Sequence, residues 1–165
     1  MPSPTPSPLP GLLRRCVGRC SAALPWLQSL FLLAVRLYWG WQFAGTGWGK
    51  LHHLAKVTAF FASLGIPFPG LNAPFVAGLE FAGGILLILG LASRPIALLL
   101  TGNMLVAYLT ADRAALFSVF SDPGKFYGAA PYTFLFACVI VLLFGPGPLS
   151  LDRLLGFNDG TGGHR

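Results

Sequence analysis

Arg36 and Glu80 are ionisable residues set inside long apolar stretches, and Asn103 is an amide inside a third. A charge in the hydrocarbon of a bilayer costs about 2.5–3.5 kcal/mol or more, so such groups face a protein interior or a wet cavity and mark candidate sites. If the first two stretches are helices centred near residues 35–36 and 82–83, both charges lie within about three residues, or roughly 5 Å of rise, of mid-membrane. Asn103 falls at the centre of the third stretch. The spacing therefore predicts a polar intramembrane pocket between helices at Arg36, Glu80 and Asn103, where a guanidinium or amide could donate to a quinone carbonyl or another polar headgroup whose tail runs into lipid. Trp39, Trp41, Trp48, Phe43 and Tyr108 are candidates for its walls, although aromatic residues also serve as interfacial belts and packing. The competing reading is a structural ion pair with an amide partner, holding helices in register and satisfied by its own members.

Other chemistries find no support in the residue pattern. His52 and His53 are adjacent, so on a helix they point in different directions, and no third ligand stands near them for a metal or haem. His164 lies in the tail, outside every apolar stretch. Cys16 and Cys20 stand four apart and would share a helix face, whereas Cys138 is alone in an apolar run, so the three cysteines form no disulfide framework. There is no phosphate-binding glycine loop, CxxC, HExxH or nucleophile elbow. No catalytic residue, metal site or intrinsic cofactor is expected. The net charge of +6 comes from basic residues scattered between apolar segments, which builds no continuous basic face and argues against nucleic acid as a partner.

The elements that must position these residues follow from composition. Of 165 residues, 55% are hydrophobic and 10% charged, and the mean hydropathy is +0.69, far from the balance of a soluble domain. Residues 1–10 alternate Pro with Ser, Thr and Leu and should stay extended. Residues 12–24 carry Arg14, Arg15 and Arg19 beside apolar residues, which suits a short basic helix on the membrane surface. No small-residue cleavage site follows, so this segment is expected to be retained rather than removed as a signal. Four spans are predicted, at 26–46, 73–92, 95–111 and 127–144, with residues 54–64 as a short interfacial helix between the first two. Gly45, Gly47 and Gly49 with Trp48 and Lys50 read as a helix end at the interface. The chain thus divides into a tail and basic segment (1–25), a membrane domain (26–155) and a polar tail (156–165). With the N-terminus inside, the inner flanks hold Arg14, Arg15, Arg19, Arg94, Arg153 and Arg165, against Lys50, Lys56, Arg113 and Lys125 outside. That excess predicts a multi-pass membrane protein with both termini cytoplasmic.

Three blocks resemble the DoxX family of small membrane proteins, which includes subunits associated with thiosulfate:quinone oxidoreductase. They are Arg36-Leu37 with Gly40, Phe43, Gly45 and Gly49-Lys50-Leu51; Gly78-Leu79-Glu80-Phe81-Ala82-Gly83-Gly84 running on to Gly90-Leu91; and Gly145-Pro146-Gly147-Pro148-Leu149-Ser150-Leu151-Asp152. The resemblance implies an all-α, four-helix transmembrane bundle and carries family positions onto Arg36, Lys50, Glu80 and Asp152. It further implies a membrane subunit that supports a quinone-linked oxidoreductase, with quinone as a bound ligand and with lipids and other membrane or redox subunits as partners. The alternative is a non-catalytic accessory or assembly subunit of a larger respiratory or photosynthetic complex. A small transporter is disfavoured, because the chain shows neither repeat symmetry nor a pair of broken helices.

Overall fold

A computed structural model describes the backbone of residues 11–156 and the side chains of residues 24–156. Every regular element among them is a helix: α1 (Gly11–His52), α2 (Leu54–Ser63), α3 (Pro69–Leu89), α4 (Ser93–Thr110), α5 (Arg113–Leu116), α6 (Pro123–Gly128), α7 (Ala130–Phe144) and α8 (Leu151–Leu154). The two tails, and the side chains of Cys16 and Cys20, lie outside the described residues.

Where sequence reasoning separated a basic helix over 12–24 from a span over 26–46, the structure joins them as α1, one helix of 42 residues. Pro25 lies inside it and removes one hydrogen bond without ending it. Ser29 Oγ donates back to the Pro25 carbonyl at 2.7 Å. At ~1.5 Å per residue α1 is roughly 63 Å long, about twice a hydrocarbon core of ~30 Å. The expected fourth span at 127–144 is instead divided, with α6 and α7 separated at Ala129, whose backbone is extended at ψ 136°. Pro131 explains the break, because in a continuous helix its ring would strike the carbonyl four residues back.

Glycines fix the register of α1 on α3. A Cβ on Gly40 would come within 2.8 Å of the Gly84 carbonyl, one on Gly84 within 2.5 Å of Ala44 N and the Gly40 carbonyl, and one on Gly47 would fall on the backbone of Ala77 and Phe81. Residues 40–47 therefore lie backbone to backbone against 77–88 in antiparallel sense. Small residues let membrane helices approach closely enough for dispersion to hold them. α4 packs chiefly on α7, while α3 touches α4 and α1 touches α7. Phe43, Leu87, Ala97, Leu100, Met104, Cys138 and Val141 make the buried core where these helices meet.

Among the described helices α3 is the one both long and apolar enough to cross a membrane; α2 and α7 are apolar but shorter. α3 and α4 are joined by a turn in which Gly90 and Ala92 both adopt left-handed backbone, at φ 68° and 48°. Gly90 accepts this freely, whereas at Ala92 the Cβ makes it costly, by about 1–2 kcal/mol.

Candidate functional site

Glu80 is 1% exposed and sits mid-way along α3. The glycine register places it opposite Thr46 and Lys50 of α1. Lys50 Nζ reaches both carboxylate oxygens at 2.6 Å, Thr46 Oγ1 reaches Oε2 at 3.2 Å, and Asn103 Nδ2 of α4 donates to Oε1 at 2.9 Å. Lys50 and Asn103 take three of the roughly four acceptor positions of the carboxylate, and the single Thr46 hydroxyl proton is divided between Oε2 and the Phe43 carbonyl at 3.0 Å. The donors are not exhausted: Lys50 keeps a third N–H, and among the described residues nothing takes the second amide hydrogen or the Oδ1 of Asn103.

Arg36, also 1% exposed, is elsewhere. Its Nε donates to the Leu87 carbonyl at 3.0 Å and its Nη2 to that of Ile88 at 3.3 Å, at the C-terminal end of α3. Its Nη1 donates to the Pro146 carbonyl and, at 3.0 Å, to that of Leu149, in the segment after α7. The guanidinium thus binds the last carbonyls of α3, sharing that of Leu87 with Gly90 N at 3.1 Å, and its charge is favoured at the negative end of the helix dipole. Asp152 does the opposite for α4, accepting from Ala92 N at 2.7 Å and Ser93 N at 3.0 Å. Gly90 touches both groups: a Cβ there would stand 2.7 Å from the guanidinium carbon, and its carbonyl accepts from Asp152 N at 2.9 Å. The four charged positions singled out in sequence therefore form two clusters at two levels, Lys50 with Glu80, and Arg36 with Asp152 about the α3–α4 turn.

Arg36 and Glu80 do not meet. Both were assigned to mid-span from the limits of the apolar stretches, but Arg36 lies opposite Leu87, seven residues or about 10 Å of rise further along α3 than Glu80. The pairing depends on register, and the glycine contacts set it.

Beside the Glu80 cluster opens a cavity of about 840 Å³ lined by α1, α2, α3, α4 and the start of α7. Its polar lining includes Thr46, Lys50, Glu80 and Asn103, with Lys56, Asn72 and Asp112 also on it. Phe43, Phe60, Phe61, Phe75, Leu79, Met104 and Phe134 supply much of its apolar wall. Of the aromatics expected there, Phe43 lines it and the other four do not. Trp39 packs edge-on against Tyr38 and Phe134, Trp41 is exposed, and Trp48 lies over His52 and Phe81. Tyr108 is buried, with its hydroxyl donating to the Phe126 carbonyl at 2.9 Å. His52 and His53 turn their Nδ1 atoms to the carbonyls of Trp48 and Gly49. Sequence reasoning missed Thr46 and the α2 phenylalanines as lining residues. Phe60 and Phe61 fall within the segment 54–64 expected as an interfacial helix, and nothing in the sequence distinguishes a side facing lipid from one facing a cavity.

The fold and site define an all-helical membrane protein in which buried charges sit at two levels and one of them borders an apolar chamber. The DoxX family model matches residues 31–113, and the chain belongs to that family. It is 28% identical over 130 residues to Inner membrane protein YqjF of Escherichia coli (strain K12), an alignment covering 78% of this chain and 95% of that protein. No solved structure matches the chain. The family match includes Arg36, Lys50, Glu80 and Asn103, whereas Asp152 lies beyond it.

Proposed function

We propose that this chain is a multi-pass subunit of the bacterial inner membrane that binds a quinone in the cavity beside Glu80 and supports a quinone-linked oxidoreductase. In this reading α1, α3, α4 and α7 form a four-helix transmembrane bundle, with α2 at its surface. The observation that carries it is the unfilled hydrogen-bonding capacity of Lys50 and Asn103 at the edge of an otherwise apolar cavity. A quinone carbonyl accepts hydrogen bonds, and its tail is soluble in such a wall. Glu80 holds the two donors in place, since an ammonium and an amide fixed on one carboxylate have lost most of their freedom before a ligand arrives. This chain offers head recognition and exclusion of water; electrons come from a partner subunit. The location is supported by the inner-membrane relative, by the apolar composition and by the length and apolarity of α3.

The test is extraction of quinone from the full-length protein purified in mild detergent from native membranes. Wild type should retain quinone in near-stoichiometric amount, and Asn103→Leu should weaken binding about five- to tenfold, as expected for one lost hydrogen bond of ~1 kcal/mol. Absence of quinone from the wild type, with no binding on addition, would overturn the reading.

A further inference from the structure

We propose that this cavity is loaded sideways from the bilayer, through a doorway between α3 and α4 framed by Phe75 and Val106. The inference rests on the membrane and ligand reading above. α3 and α4 leave a shared turn at residues 90–92. Near the turn they touch, with a Cβ on Gly83 only 3.3 Å from Leu100. One turn further the Glu80–Asn103 hydrogen bond still spans them. Beyond that level Phe75 of α3 and Val106 of α4 line the cavity and are yet 64% and 51% exposed, so no other part of the described chain closes over them there. An opening rimmed by phenylalanine and valine admits acyl chains and isoprenoid tails, and repels water.

The lining also limits what passes. Its charges are Lys50, Lys56, Glu80 and Asp112, two of each sign, and Glu80 is already neutralised by Lys50 and held by Asn103. At that pair the two charges cancel, so an ionised head seated there would bring an uncompensated charge against an apolar wall, which costs several kcal/mol. The volume of about 840 Å³ is that of a site for one drug-sized molecule, for which pockets run about 300–1,000 Å³, so a two-chain lipid does not fit whole. The ligand that meets these conditions is membrane-borne, with an uncharged head that accepts hydrogen bonds and a single long tail that trails out past Val106.

The experiment follows exchange of a tritium-labelled, decyl-tailed benzoquinone on the full-length protein in lipid nanodiscs. Val106→Trp should slow both binding and release about tenfold while changing affinity less than about twofold, because a narrowed passage raises the barrier without touching the bound state. Val106→Ala and Phe75→Ala should speed both steps. Leu98→Trp, the same enlargement on an exposed position of α4 outside the cavity lining, should leave exchange at the wild-type rate. Unchanged exchange in Val106→Trp and Val106→Ala, or equal slowing by Leu98→Trp, would overturn the doorway while leaving the binding site intact. A wild type that holds no label would remove the site and the doorway together. If Val106→Trp does not fold, the two alanine variants decide, since release at the wild-type rate in both excludes a passage there.

Discussion

Lys50 and Glu80 are unequal partners, and their inequality determines how each should respond to substitution. The carboxylate is almost wholly buried, whereas the lysine side chain is 33% exposed. Removing the lysine strands a buried anion, and removing the carboxylate leaves a cation that can turn toward solvent along its own stem. Lys50→Met should therefore destabilise the protein more than Glu80→Gln does. Its cost falls toward the lower end of the ~3–5 kcal/mol seen when a buried pair is broken, because solvent already screens part of the lysine. The double variant should recover at least ~1 kcal/mol of the summed losses, since Met and Gln at these sites leave no unpaired charge. Denaturant unfolding in detergent measures all three. Strictly additive losses would mean that the pair is not energetically coupled. Arg36 follows another logic, since four carbonyls from two segments converge on it and only a planar guanidinium presents donors in that many directions.

Helix register decides which charges meet, and on α1 and α3 it is set by glycine. Gly84→Ala should push the two helices apart and cost about 1–3 kcal/mol, as overpacking does, because its Cβ meets backbone that cannot rotate away. Gly45→Ala has open space around it and should be neutral or stabilising by up to ~1 kcal/mol through helix propensity. Thermal unfolding of the two variants separates these outcomes, and equal effects would remove the glycine seam as the source of register. The same seam shows what the sequence could and could not reveal. Apolar run length was enough to predict the cores of α1, α3 and α4, because a helix inside a bilayer needs little more than length and apolarity. The boundary at Pro131 was also visible in principle, through the restriction that a proline ring places on the preceding turn. Depth within a span was read from run limits alone, which put Arg36 level with Glu80. A run limit marks where lipid-compatible residues stop, not which turn of one helix faces which turn of another. Glu80 and Asn103 were singled out and do touch, since α3 and α4 share a short turn that ties their registers together. Lys50 was noted as a family position and as an interfacial cation, and its pairing with Glu80 required the contacts of Gly40, Gly47 and Gly84.

At the scale of the molecule the two charge clusters give the bundle two unlike ends. One end is tied, because Arg36 and Asp152 bind the segments after α3 and α7 and before α4 into a single knot of hydrogen bonds. The other end is where the cavity lies between α3 and α4, with Lys56 and Asp112 on its lining. Orientation in the bilayer therefore decides which leaflet the cavity serves. Six basic flanking residues against four predict, by the positive-inside rule, that both termini lie inside. α1 then runs outward, Glu80 and its cavity lie toward the outer leaflet, and the Arg36–Asp152 knot lies toward the cytoplasm. A fluorescent reporter that matures only in the cytoplasm, fused after Arg165, should glow, and alkaline phosphatase fused after Asp122, in the loop between α5 and α6, should be active. The reverse pattern would turn the molecule over. The doorway at Val106 would then draw its ligand from the inner leaflet, and any redox partner reading the cavity would have to approach from the cytoplasmic side.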